Sequence, residues 1–106
     1  YRDFTYIDDA VNICESLVKM NFKKKYNIFN ICSSKPLLIT KVLREIESYV
    51  KRPTVIKKPR DKADVYKTYG NNNKINNFLG KKINFTNYKW GIKKTCEWYL
   101  KNYKTF

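Results

Sequence analysis

Histidine is missing from this chain altogether, glycine and proline occur three times each, and methionine once. Without imidazole, and with Cys14, Cys32 and Cys96 far apart and no Cys-x-x-Cys pair, no zinc-type ligand set can be assembled, so no metal is expected. The odd number of cysteines at apolar positions points to reduced, buried thiols in a cytoplasmic protein and away from a disulfide framework. No apolar run approaches the roughly 18 residues of a membrane span, and the first residues have neither the basic nor the apolar region of a secretory signal. The expectation is a cytoplasmic protein with no membrane partner.

Acidic residues are scarce as well: 9 Asp+Glu stand against 23 Lys+Arg, giving a net charge of +14. Such a surplus suits a polyanion only where the cations are clustered, because counterion release rewards dense phosphate neutralisation. Here the lysines are spread along the whole chain, and the longest basic run, Lys23 to Lys25, lies between a helix-like and a strand-like segment. Asparagine and isoleucine are also heavily used, so the charge reads as a diffuse solvated surface and no nucleic-acid partner is expected.

What is present is one domain's worth of chain. The 106 residues, 42% hydrophobic and 16% aromatic, suffice for a single core and not for two. Tyr1 to Tyr6 is strand-like, an edge strand that normally pairs with something upstream. From Ile7 the positions Ile7, Ala10, Val11, Cys14, Leu17 and Val18 follow helical spacing behind the cap-like Thr5-Tyr6-Ile7-Asp8. Tyr26 to Ile31 reads as a short buried strand ending in the turn Cys32-Ser33-Ser34-Lys35-Pro36. Ile39, Val42, Leu43, Ile46, Tyr49 and Val50 line a second helix, with Thr40 or Ser34 as its cap and Pro53 as its stop. Thr54 to Lys58 is a third strand candidate, and Pro59 to Asp64 an aperiodic charged loop of the kind that carries ligand contacts. Asn71 to Asn73 open a short helix stopped by Gly80, and a last helix starts near Asn87 with Ile92, Cys96, Tyr99, Leu100 and Tyr103 on one face. Trp98 and Tyr99 are expected in the core. The order β-α-β-α-β-loop-α-loop-α predicts an α/β unit in which some strands extend a parallel sheet.

Taken alone, Arg2-Asp3-Phe4 carries little, since an arginine beside an aspartate is usually a surface ion pair, here with Asp3 or Asp9. The longer run Arg2-Asp3-Phe4-Thr5-Tyr6-Ile7-Asp8-Asp9-Ala10-Val11, however, closely resembles a segment of the extended short-chain dehydrogenase/reductases, especially the UDP-glucuronate 4-epimerases. Phe29 to Pro36 resembles the family's strand and turn, with Cys32 where glycine is usual. Asp64-Val65-Tyr66-Lys67-Thr68-Tyr69, Leu79-Gly80, Gly91-Ile92 and Trp98-Tyr99 follow in the family's own order. The resemblance covers nearly the whole chain, and several motifs in one order are far more specific than any one of them.

The resemblance implies that residues 1–106 are the C-terminal substrate-binding portion of an NAD-dependent nucleotide-sugar epimerase or dehydratase, an α/β, Rossmann-type enzyme, holding its last sheet strands and flanking helices. It implies that Arg2 clamps the substrate diphosphate, a task suited to the guanidinium fork, and that Asp64 accepts hydrogen bonds from the nucleotide ribose. Many relatives have a second diphosphate-binding arginine three residues before that aspartate. Asp61 stands there in this chain with Arg60 beside it, so Arg60 and Asp61 complete the candidate substrate-binding set. The intact enzyme would use NAD to oxidise the sugar C4 hydroxyl, let the 4-keto sugar rotate and return the hydride to its other face, with UDP-glucuronate to UDP-galacturonate as the first choice of reaction. A nucleotide-sugar 4,6-dehydratase, a UDP-glucose 4-epimerase and a non-catalytic remnant or binding module are the alternatives. No glycine-rich turn and no Tyr-x-x-x-Lys pair at a strand-flanked catalytic position can be assigned, so both are expected in a missing N-terminal NAD-binding half. The chain alone is expected to bind no NAD, and the resemblance allows a homodimer of the intact enzyme.

Overall fold

A computed structural model of the chain describes residues 1–51 and 54–103. Four helices follow one another: α1 over Ile7–Val18, α2 over Ile39–Glu47, α3 over Asn73–Leu79 and α4 over Tyr88–Asn102. Three lie where the apolar spacing places a helix, and α3 lies between the asparagines and the glycine expected to bound it. The stop assigned to Pro53 falls outside the described residues.

The caps are settled by competition for side chains. Thr5 does not cap α1, because its hydroxyl accepts from the Ser33 backbone N–H at 3.1 Å. The helix starts after Tyr6, with Asp8 and Asp9 in its first turn complementing the helix dipole. Neither Thr40 nor Ser34 caps α2, whose N-cap is Leu38. Asn87 does cap α4, accepting from Lys89 N at 3.0 Å. Gly80 ends α3 in the left-handed region at φ 64°, a conformation that costs glycine little.

Among the described residues there is no strand, only one antiparallel bridge in which Arg2 and Leu37 exchange both backbone bonds at 2.9 Å. On its other side the opening segment meets residues 66–68. Tyr1 N donates to Tyr66 O at 2.9 Å, and Thr68 N donates to Tyr1 O at 3.2 Å. One residue bonded to the two neighbours of its opposite number is the pattern of a parallel pairing. The first three residues therefore run between Leu37 on one side and 66–68 on the other.

The strands expected at 26–31 and 54–58 form no ladder. Residues 26–31 do alternate, with Tyr26 and Ile28 outward and Phe29 and Ile31 inward, but Tyr26 and Ile28 are about as exposed as surface residues can be. A strand exists only through its partner's hydrogen bonds. The Ile28 carbonyl is taken by the Lys74 ammonium at 2.6 Å, not by a neighbouring backbone.

Packing is thin. Among the described residues the buried apolar ones are Ile13, Val42, Cys96 and, with no exposure at all, Ile75. α2 rests on α4, and α3 rests on the loop before Ile31 through Phe78, whose ring lies 5.1 Å from that of Phe22 and 5.0 Å from that of Phe29. The radius of gyration of 16.9 Å exceeds the roughly 13 Å usual for a domain of about this length.

Three core expectations are corrected. On α1 the inward face is Asp9, Ala10, Ile13, Ser16 and Leu17, while Ile7, Val11, Cys14 and Val18 point to solvent. The helix is oriented by Asp9, whose carboxylate accepts from Thr86 N at 2.8 Å and from Thr86 Oγ1 at 2.7 Å. Cys14 is accordingly exposed and Cys32 half-buried; only Cys96 is the buried thiol expected of all three. Burial pushes the Cys96 thiol above its ordinary value. Trp98 and Tyr99 are not core residues either. They lie 58% and 48% exposed near the end of α4, both against the ring of Tyr103.

Candidate functional site

The site is assembled from the opening segment, the 60–64 turn and the stretch that follows it. The bridge to Leu37 and the pairing with 66–68 fix the backbone of residues 1–3, and alternation along an extended chain sends Arg2 and Asp3 in opposite directions.

Asp3 points inward. Its Oδ2 accepts from Ser34 N at 3.0 Å and from Gly70 N at 3.2 Å, and its Oδ1 accepts from the Ser33 hydroxyl. Its backbone N–H donates to Thr68 Oγ1 at 2.9 Å. A second hub lies alongside. Asn72, buried, accepts from Cys32 N at 3.1 Å and donates to the Cys32 carbonyl and to Ser34 Oγ. Ser34 also donates to the Gly70 carbonyl at 3.0 Å, which helps hold its unusual φ of 56°. These bonds join three distant pieces of chain, so the amide of Asn72 is spent here and leaves α3 without a side-chain cap.

Arg2 points the other way. Its Nη2 pairs with Asp64 Oδ1, and its Nη1 donates to the Tyr1 carbonyl at 2.8 Å. Its partner is thus Asp64 and neither Asp3 nor Asp9. Arg60 reaches the same residue from within the turn, donating from Nε at 3.1 Å and from Nη2 to the Asp64 carbonyl. Asp61 shapes that turn: its carboxylate accepts from Ala63 N at 2.8 Å, and its carbonyl accepts from Asp64 N at 3.1 Å. Arg2, Arg60, Asp61 and Asp64 therefore meet in one place, although 62 residues separate Arg2 from Asp64.

Chemically this is two guanidinium groups gathered about one aspartate, one on its carboxylate and one on its carbonyl. A guanidinium has five N–H donors in a planar fork, so Arg2 retains donors for an anion while it holds Asp64. With side-chain exposures of 24% for Arg2 and 51% for Asp64, the pair is reachable from solvent and contributes at most about 1 kcal/mol to stability.

Rings to which the sequence reading assigns no role lie beside the cluster. Arg60 lies 5.7 Å from the centroid of Tyr66, which is 5.9 Å from that of Tyr1. Lys67 lies over both Tyr1 and Tyr69, at 5.8 and 5.6 Å. The signal for these residues was their composition, tyrosine interleaved with cations beside the aspartate, but only the pairing of Tyr1 with Tyr66 and Thr68 brings them to Arg2.

An apolar cavity of about 740 Å³ opens elsewhere, lined by Phe4, Tyr6, Leu37, Val42, Ile92 and Trp98 among others. Desolvation and the Asp8 carboxylate hold the Tyr6 hydroxyl above its ordinary pKa. None of the four sequence-predicted residues lines this cavity.

The residues present do not fit a dinucleotide cofactor. Gly80 closes α3, Gly91 lies inside α4 against the Tyr6 ring, and Gly70 lies against Cys32, so the chain's three glycines cradle no pyrophosphate together. Among the described residues no group of side chains could hold a metal, and no helix is long and apolar enough to cross a membrane.

No family model matches the chain, and no solved structure matches it. Curated sequences do. The chain is 36% identical over 102 residues to an uncharacterized protein of Methanocaldococcus jannaschii, an alignment covering 95% of this chain and 30% of that protein. It is 33% identical over 116 residues to UDP-glucuronate 4-epimerase 4 of Arabidopsis thaliana, and 32% identical over 116 residues to UDP-glucuronate 4-epimerase 3 of the same plant, covering 96% of this chain and 26% of each enzyme. The chain thus spans between about a quarter and a third of the length of the curated relatives it matches. Nearly all of it is similar in sequence to one stretch of the UDP-glucuronate 4-epimerases, and an epimerase relationship is what that similarity supports.

Proposed function

We propose that residues 1–106 are the C-terminal substrate-binding portion of an α/β, NAD-dependent nucleotide-sugar 4-epimerase of the extended short-chain dehydrogenase/reductase family, acting on UDP-glucuronate. In this reading Arg2 and Arg60 hold the diphosphate of the UDP-sugar, and Asp64 accepts hydrogen bonds from the ribose. Asp61 keeps the 60–64 turn in the shape that presents Arg60 and Asp64 to Arg2. The observation that carries the proposal is the meeting of Arg2 with Asp64 and Arg60, residues that the sequence resemblance singles out and that are far apart in the chain.

Each contact has a physical basis. Arg2 is oriented by its own neighbour's carbonyl and by Asp64, so it meets a phosphate with little further ordering cost. Asp64 keeps a second carboxylate oxygen beyond the one Arg2 engages, and a vicinal diol is a natural pair of donors to a carboxylate. The chain's own residues bind and orient; NAD and the hydride chemistry belong to another part of the enzyme. The outward stripe of Ile7, Val11, Cys14 and Val18 and the thin core support a chain that packs against further protein, since apolar faces of this kind normally do.

The test is kinetic. In the longer enzyme that carries this portion, Arg2→Ala is expected to raise the KM for UDP-glucuronate on the order of tenfold, the worth of a charge-assisted hydrogen bond. NAD affinity is expected to stay unchanged. An unchanged KM contradicts the proposal, and so does retention of NAD by the purified 106-residue chain.

A further inference from the structure

The apolar cavity of about 740 Å³ shares no residue with the cluster at Arg2 and has a chemistry of its own. Its volume falls in the range of small-molecule sites, roughly 300 to 1,000 Å³. Phe4, Tyr6, Tyr88 and Trp98 bring four aromatic rings to its lining, and Phe4 and Trp98 remain 42% and 58% exposed. Rings gathered about a concavity attract organic cations through the negative potential of their faces. Asp8 lines the same cavity from the first turn of α1. Among the described residues no lysine or arginine pairs with its carboxylate, although the chain carries 23 Lys+Arg. Lys94 lines the cavity too, but its charge is met elsewhere: the ammonium donates to Glu97 at 2.9 Å and lies 4.7 Å from the centroid of the Trp90 ring. Desolvation and the Asp8 carboxylate hold the Tyr6 hydroxyl above its ordinary pKa, so Tyr6 stays neutral and adds no second anion.

We propose that this cavity binds a small arylalkyl ammonium ion, with its ring among Phe4, Tyr88 and Trp98 and its charged head at Asp8. The inference is independent of the nucleotide reading at Arg2 and stands or falls without it. The sign of the ligand follows from which charge is open: the carboxylate of Asp8 has no cation, whereas the ammonium of Lys94 has an acceptor. The body of the ligand follows from the walls. Leu37, Val42 and Ile92 offer only apolar surface, which a bare inorganic cation would leave wet and a hydrocarbon skeleton covers. A neutral molecule of the same shape meets those walls equally well and gains nothing from Asp8, so the charge is what the site reads.

Calorimetric and NMR titrations of the 106-residue chain with phenethylammonium, its neutral counterpart phenethyl alcohol and the anion hydrocinnamate test the proposal. Phenethylammonium is expected to bind about tenfold more tightly than the alcohol, the combined worth of one exposed ion pair and one contact between a cation and a ring. Hydrocinnamate is expected to bind most weakly. Asp8→Asn is expected to weaken phenethylammonium about fivefold and leave the alcohol unchanged. Trp98→Ala is expected to weaken both, since it removes a wall that each covers. Asp8 and Trp98 are exposed, so neither substitution empties the core. Equal affinities for the ammonium and the alcohol would overturn the proposal and leave an apolar hollow without charge selection. Tightest binding of hydrocinnamate would overturn it in favour of Lys94. An unchanged ammonium affinity in Asp8→Asn or in Trp98→Ala would place the ligand elsewhere, and a chain that binds none of the three probes has no such site.

Discussion

The Cys32 side chain occupies the space that any side chain on residue 70 would need. A Cβ built on Gly70 falls inside van der Waals contact of Cys32 Sγ and 2.7 Å from Cys32 Cβ, with Asp3 Oδ2 behind at 3.7 Å. Cys32 and Gly70 thus fit as a complementary pair. Gly70→Ala is expected to cost about 1–3 kcal/mol, the range of an overpacked site. Cys32→Gly alone is expected to be mildly destabilising, and the double substitution is expected to recover most of the Gly70→Ala loss. Urea unfolding of the four proteins gives the coupling energy; additive effects would contradict the packing account.

Asp3 links the 33–34 turn to residue 70, and without its carboxylate the Ser34 and Gly70 N–H groups lose their acceptor. Asp3→Ala is expected to destabilise the chain by about 1.5–3 kcal/mol, as for other hydrogen bonds to a charged group. Asp3→Asn, which keeps one carbonyl oxygen, is expected to cost less. Thermal unfolding ranks the two, and a silent Asp3→Ala would show that the turn does not depend on this hub.

The three thiols are expected to react in an order set by exposure. Cys14 faces solvent, Cys32 is half-buried against Asn72, and burial raises the Cys96 pKa, which lowers its thiolate fraction. Iodoacetamide labelling followed by peptide mass spectrometry should modify Cys14 first and Cys96 last. Rapid labelling of Cys96 in the folded chain would contradict its buried place on α4.

All four helices were legible in the sequence because their signals are local: the spacing of Val42, Leu43 and Ile46, the Asn87 cap, the glycine after Leu79. The face of α1 was not, because Ala10 and Val11, Ile13 and Cys14, and Leu17 and Val18 offer two apolar stripes to choose between. The choice is made by Asp9 binding Thr86 at 2.8 Å, 77 residues away, which no periodicity reveals. The strands at 26–31 and 54–58 were read from residue type, but pairing is a property of a partner and neither segment finds one among the described residues. Arg2, Arg60, Asp61 and Asp64 were legible through the order of several motifs. Tyr66 was not, since its proximity to Arg2 arises only when Tyr1 pairs with Tyr66 and Thr68.

Whether Arg2 and Asp64 form a nucleotide-binding pair is tested most directly by titrating UDP onto the 106-residue chain and its Arg2→Ala variant under identical salt. Removing a charge-assisted bond is expected to raise the dissociation constant for UDP on the order of tenfold or more, while the unfolding free energy changes by no more than about 1 kcal/mol, as befits an exposed pair. An unchanged UDP dissociation constant would contradict the account and return Arg2 to the role of a surface ion-pair partner for Asp64.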